Sequence, residues 1–309
     1  MSILLVARNR NMIPFREELL RLDPHLDVEI WPTCKRPQRV RFIVAWDQPD
    51  QFFSRFSNLE VVSSMGAGVE HLVTDPDLPA KVTITRLVSP GLKEQIRDYV
   101  ESSLYRILRR CDDYLNLQRS ARWEKLDHTT RDQWRVGMLG LGELGGAVAA
   151  SLASSGWTVH GWSRSRKSIP GCISWYGRDQ LPDMLSNTQI LINLLPLTRE
   201  TEGILDLELF KRLAEPSWLI QAGRGEHLVD EDLIYALDQN LLEGAFLDVF
   251  REEPLPDSHP FWNRDSIRIT PHIASVSRAN ELAPQLLENY KRMISNQKLL
   301  YTVDRTRGY

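Results

Sequence analysis

Cysteine is almost missing from this chain. Cys34, Cys111 and Cys172 are the only three in 309 residues, and they form no Cys-x-x-Cys pair. So sparse and odd a set excludes a disulfide framework and a thiolate zinc site, and fits reduced thiols in the cytosol. No apolar stretch reaches the ~18 residues that a membrane span requires. The opening run Ile3-Leu4-Leu5-Val6-Ala7 is too short for a signal peptide and lacks a basic lead-in, so a cytoplasmic protein with no membrane partner is expected. An excess of one charge is lacking too. Lys plus Arg number 38 against 41 Asp plus Glu, a net charge of −3, and nothing in that balance attracts a nucleic acid. His-x-x-x-His and Gly-x-Ser-x-Gly do not occur, so metal hydrolysis and a serine nucleophile have no supporting motif.

What is present is an ordinary globular balance, 42% hydrophobic and 26% charged. At about 150 residues per domain, the length predicts two domains. In the first hundred residues the runs Ile3–Ala7, Phe42–Trp46 and Leu59–Ser63 read as strands, with an amphipathic helix over Met12–Leu22. From Ile96 the apolar positions Ile96, Val100, Leu104, Ile107, Leu108, Cys111 and Leu115 recur at helical spacing. That stripe is either a core helix of one subunit or a surface between subunits. A second series follows, with strands predicted at Trp134–Leu139, Trp157–Gly161, Ile190–Leu194, Trp218–Ile220, Ala245–Val249 and Ile267–Thr270. Six strands with helical crossovers make a doubly wound parallel sheet, and a last helix over Arg278–Ile294 can return the chain to the first domain.

The strand Val136–Leu139 runs directly into Gly140-Leu141-Gly142-Glu143-Leu144-Gly145. A GxGxxG alone is a weak signal, but between a strand and a helix it is a cradle for a dinucleotide pyrophosphate. An NAD site would then carry a carboxylate about 20 residues on, to bind the ribose hydroxyls. Here Ser163 lies 18 residues beyond Gly145, followed by Arg164-Ser165-Arg166-Lys167. A carboxylate would repel a 2′-phosphate, whereas these cations bind one, so NADP(H) is expected in preference to NAD(H).

Near three later strand ends stand Arg224 in Gln221-Ala222-Gly223-Arg224-Gly225, Glu253 in Asp248-Val249-Phe250-Arg251-Glu252-Glu253-Pro254, and His272 in Thr270-Pro271-His272-Ile273. One arginine, one carboxylate and one histidine can reduce a carbonyl that lies beside a carboxylate. At these residues the chain resembles the D-isomer-specific 2-hydroxyacid dehydrogenases, and the likeness runs from Gly66-Ala67-Gly68-Val69 to the C-terminus. Trp162–Lys167, Ile192-Asn193-Leu194-Leu195-Pro196 and Val303–Tyr309 resemble the family's glyoxylate and hydroxypyruvate reductases most closely.

The resemblance implies two discontinuous α/β domains: a Rossmann-type NADP-binding domain over 99–280, and a smaller flavodoxin-like substrate domain over 1–98 and 281–309. It implies a homodimer that reduces small 2-oxo acids with NADPH. It makes Arg224, Glu253 and His272 catalytic, and adds Leu195, Pro196, Ala222, Gly223 and Asp248 to the cofactor site. Trp46, Ala67, Gly68 and Val69 join Arg224 around the substrate. The chemistry agrees with these roles. Imidazole is a suitable general acid near neutral pH, a carboxylate can fix its orientation, and a guanidinium fork suits a substrate carboxylate. Asp248 has a structural role as its alternative, and His227 and the remaining histidines match nothing. Gln221 and Gly223 depart from the family's usual Asn-Leu-Ala-Arg-Gly, which raises the question of how Arg224 is held. A different 2-oxo acid, or a nucleotide-sensing protein on the same scaffold, are the competing readings.

Overall fold

Short β-branched runs alternating with amphipathic stretches give two parallel sheets, one in each of two units. The computed structural model describes residues 1–309, and the units are Met1–Leu92 with Ser277–Tyr309, and Lys93–Val276. The first unit contains β1 (Ser2–Ala7), α1 (Ile13–Leu22), β2 (Val28–Ile30), β3 (Val40–Trp46), β4 (Val61–Ser64), α2 (Glu70–Val73) and β5 (Thr83–Thr85). Its strands are ordered β2-β1-β3-β4-β5, the flavodoxin arrangement. Leu4, Val6, Ile43 and Val62 pack with Phe52, Phe53 and Phe56 into its core. The sequence did not reveal β2 and β5. Each is an edge strand of three residues, too short to display a period of two.

The second unit takes up most of α3 (Pro90–Leu108), which buries Ile96, Val100, Leu104, Ile107 and Leu108 in the core. There the predicted stripe stops. Arg110 adopts a left-handed φ of 51°, and α4 (Cys111–Arg119) buries none of its residues, so Cys111 and Leu115 lie outside the core. The sheet then assembles from β6 (Arg135–Leu139), α5 (Glu143–Ser154), β7 (Thr158–Ser163), β8 (Cys172–Tyr176), α6 (Leu181–Ser186), β9 (Ile190–Asn193), α7 (Leu207–Phe210), β10 (Trp218–Gln221), α8 (Asp230–Asp238), β11 (Gly244–Leu247) and β12 (Ile267–Ile269).

The strand order β12-β11-β10-β9-β6-β7-β8 is the Rossmann order with one further strand at the far edge. Seven strands stand where six were predicted. The strand at the far edge is β12; the one the sequence did not reveal, β8, is a half-exposed edge strand behind Pro170 and lacks the continuous apolar run that betrays the central strands. The final helix α9 (Ala279–Ile294) belongs to the first unit and packs on α1. No helix is long and apolar enough to cross a membrane.

Candidate active site

In an open parallel sheet, ligands bind beyond the carboxyl ends of the strands, on either side of the point where strand order reverses. That reversal lies between β6 and β9 in the second unit. The glycine turn follows β6, the basic turn follows β7, Leu195 and Pro196 follow β9, and Arg224 follows β10. Asp248 and Glu253 come after β11, and His272 after β12. Every cofactor and catalytic residue expected from the sequence therefore lies beyond the same edge of one sheet.

The glycine turn is built for close approach. A β-carbon on Gly145 would sit 1.9 Å from the Gly140 carbonyl oxygen, so only glycine lets α5 start this near β6. Gly142 faces open space, with nothing within 4 Å of where its β-carbon would be. It also precedes α5 without any side-chain cap, which leaves first-turn N–H groups to meet an anion. These features fit a dinucleotide pyrophosphate. Glu143 spends its carboxylate on Lys93 (2.7 Å), and its backbone N–H belongs to that first turn. Leu144 is half-buried beside it. On the same side of the reversal, β7 pairs with β6 through Trp162 and Leu139. Ser163 is buried and donates its hydroxyl to the Ser165 carbonyl at 2.8 Å, shaping the turn that exposes Arg164, Ser165, Arg166 and Lys167.

Glu253 and His272 are in contact. Oε2 of the carboxylate lies 2.7 Å from Nδ1 of the ring, and Oε1 accepts the Phe250 N–H at 2.9 Å. Burial by itself would raise the Glu253 carboxyl. The His272 hydrogen bond, the Phe250 N–H and the charges of His272 and Arg224 outweigh it and hold the group below its usual value. Nδ1 donates to the carboxylate, which turns Nε2 toward proton transfer. Arg224 is half-buried, and its guanidinium donates to the Gly223 carbonyl at 2.7 Å. Its turn is tied to the Glu253 segment by Gly225, whose β-carbon would lie 1.9 Å from the Phe250 carbonyl carbon.

His272 has a left-handed backbone, φ 54°, which costs a non-glycine residue of order 1 kcal/mol or more. Asp248 maintains it. The Asp248 carbonyl accepts the His272 N–H at 2.8 Å, and its carboxylate accepts Ile273 N–H, Ala274 N–H (both 2.8 Å) and the Thr270 hydroxyl (2.6 Å). Thr270 in turn accepts from the Tyr99 hydroxyl of α3 at 2.9 Å. Burial pushes the Asp248 carboxyl up despite these donors, and it pushes the Tyr99 hydroxyl up as well. Asp248 is 1% exposed, so its evident work is to hold the histidine turn. Sequence reasoning gave Tyr99 and Thr270 no role, because each takes its partner from a distant part of the chain. The same is true of His227, which the structure places beneath the Arg224 turn with Asn193 and Gln221.

In the first unit, Trp46 ends β3 half-buried, with its ring 4.8 Å from that of His71. The Gly66–Val69 turn is folded about Ser64, whose hydroxyl donates to the Gly68 carbonyl at 2.6 Å and accepts the Gly66 N–H at 3.2 Å. Ala67 and Gly68 are partly exposed, whereas Val69 is buried.

Fold and site together define a dinucleotide-dependent oxidoreductase with a histidine–carboxylate pair and an arginine. The profile for the NAD binding domain of the D-isomer specific 2-hydroxyacid dehydrogenases matches residues 102–274. Glyoxylate/hydroxypyruvate reductase A of Photorhabdus laumondii is 38% identical over 291 residues, 93% of each chain. A Xanthobacter autotrophicus D-isomer specific 2-hydroxyacid dehydrogenase, solved with NADPH and MES, superposes with a TM-score of 0.96 at 35% identity, covering 100% of this chain and 99% of that one. The NADPH-dependent glyoxylate/hydroxypyruvate reductase of Sinorhizobium meliloti, solved with NADP and sulfate, gives 0.93 at 32% identity over the whole of both chains. The chain belongs to the D-isomer-specific 2-hydroxyacid dehydrogenase family.

Proposed function

We propose that this protein reduces small 2-oxo acids with NADPH, taking glyoxylate to glycolate and hydroxypyruvate to glycerate. The observation that carries the chemistry is the 2.7 Å His272–Glu253 contact, set beyond the ends of β12 and β11, the latter the neighbour of the β10 strand that Arg224 follows. NADPH supplies the hydride when bound. Gly140, Gly142 and Gly145, with the N–H groups of Glu143 and Leu144, hold its pyrophosphate, and Ser163–Lys167 hold its 2′-phosphate. Leu195, Pro196, Ala222 and Gly223 line the same strand-end edge. Asp248 serves that site through the His272 turn. Arg224 grips the substrate carboxylate and polarises the ketone. As charge develops on the carbonyl oxygen, His272 donates its Nε2 proton there while Glu253 fixes the ring. Trp46 and the Ala67, Gly68 and Val69 backbone bind substrate in this reading.

The protein works as a cytoplasmic homodimer in this reading. Three free cysteines fit a reducing compartment. Helix α4 buries nothing, and Trp123 just beyond it is wholly exposed, surface that a second copy would cover. Light scattering at micromolar concentration checks the dimer, and a monomer removes it.

The deciding experiment follows loss of NADPH absorbance, with NADH in parallel, on glyoxylate and hydroxypyruvate, for the wild type and His272→Ala. Fast NADPH oxidation, slow NADH oxidation and a variant slowed about 10²–10⁴-fold sustain the proposal. Binding of NADPH without turnover of either acid moves the reading to another 2-oxo acid, and then to a sensor.

A further inference from the structure

Beneath the Arg224 turn lie three polar side chains with no solvent exposure at all: Asn193, Gln221 and His227. They end β9, β10 and the short turn Gly225–His227 respectively. Asn193 Nδ2 donates to Gln221 Oε1 at 2.8 Å and to His227 Nδ1 at 2.9 Å. His227 Nδ1 also accepts the Arg224 N–H at 3.2 Å, and Gln221 Nε2 donates to the Arg224 carbonyl at 2.8 Å. Both backbone polar groups of Arg224 are therefore held by buried side chains. On the other side, Asn193 Oδ1 accepts the Leu195 N–H (3.2 Å), and His227 Nε2 lies 3.3 Å from the Pro196 carbonyl.

The arrangement fixes a tautomer. Nδ1 faces two donors and must accept, so the ring proton sits on Nε2 and points at the Pro196 carbonyl. It also takes over where regular pairing stops, since Ala222 N–H to the Asn193 carbonyl (3.3 Å) is the last bond between these strands. Burying three polar side chains is costly unless each is hydrogen-bonded, and an apolar filling would strand the Arg224 and Leu195 N–H groups that they accept. What the polar set adds is direction. Gln221 has the arm length to reach the Arg224 carbonyl.

We infer that Asn193, Gln221 and His227 are positioning residues that aim Arg224 by holding its backbone at both ends, with His227 kept as the Nε2–H tautomer. This rests on Arg224 as the carboxylate-binding group proposed above. The test compares His227→Asn with His227→Phe. Asparagine Oδ1 can take the place of Nδ1 and accept both donors, whereas phenylalanine fills the ring volume and accepts nothing. The readouts are KM and kcat for glyoxylate, calorimetric affinity of the NADPH-loaded protein for oxalate, and Tm. The expected result is a KM raised about tenfold or more in His227→Phe and within about threefold of wild type in His227→Asn. Oxalate affinity should follow the same order, even though the smaller asparagine leaves a cavity and melts as low or lower. Equal KM in the two variants, or a KM that follows Tm, overturns the positioning role alone. Oxalate affinity unchanged in Arg224→Gln overturns it together with the assignment of Arg224.

Discussion

Glu253 and His272 lie 19 residues apart in sequence, beyond two different strands, yet Oε2 and Nδ1 meet at 2.7 Å. In the proposed reaction the contact fixes the ring and leaves Nε2 for the substrate. Glu253→Gln keeps the size and an acceptor but removes the charge. It should lower kcat/KM by less than the about 10²–10⁴-fold expected for losing the imidazole itself. Steady-state kinetics on both variants check the order, and a Glu253→Gln enzyme as impaired as His272→Ala would contradict it.

The same pair sets a pH dependence. The Glu253 carboxyl is held below its usual value in the folded state. Its contribution to stability is therefore complete above the ordinary glutamate pKa of about 4.3 and is lost as pH falls through the lower folded value. About a third of each side chain is exposed, so solvent screens the effect. Wild type should melt about 3 °C or less above Glu253→Gln near neutrality, with the gap closing toward pH 3. A gap that widens in acid would reverse the assigned sign.

Asp248 should matter through the loop it anchors. In Asp248→Asn the amide can satisfy the Ile273 and Ala274 N–H groups only in part, and a buried unpaired donor costs about 1–3 kcal/mol. Melting should drop by several degrees, and amide exchange should quicken at Ile273 and Ala274. Thr270→Val, which takes the partner from the half-buried Tyr99 hydroxyl, should do the same more mildly. Unchanged exchange in both variants counts against the anchor.

In the proposed reading the basic turn decides between cofactors. Arg164→Ala with Arg166→Ala should raise KM for NADPH about tenfold or more, by losing charge-assisted hydrogen bonds, and leave KM for NADH nearly constant. Ser163→Asp should add repulsion of the 2′-phosphate. Equal effects on both cofactors would make the turn a general surface feature.

Gly225→Ala tests the tie between two catalytic segments. Its β-carbon would enter the space of the Phe250 backbone, which cannot move aside as a flexible side chain could. Stability and kcat should fall together, with Arg224 and Glu253 both displaced. A variant with wild-type kcat and Tm would show that the two strands tolerate the separation.

The sequence by itself determined the central strands, the glycine turn and the basic turn, because each is a local pattern: an apolar run, glycines at fixed spacing, cations at a strand end. Arg224, Glu253 and His272 were legible as candidates through motifs of the same local kind. The edge strands β2, β5 and β8 were not, since an edge needs neither length nor continuous apolarity. Nor does any local pattern pair Tyr99 with Thr270 or Asn193 with His227. Tyr99 reaches Thr270 across 171 residues, and Asn193 meets His227 across 34. Only tertiary structure assembled these contacts, because a buried polar group takes its partner from whichever strand end the fold brings within hydrogen-bonding distance.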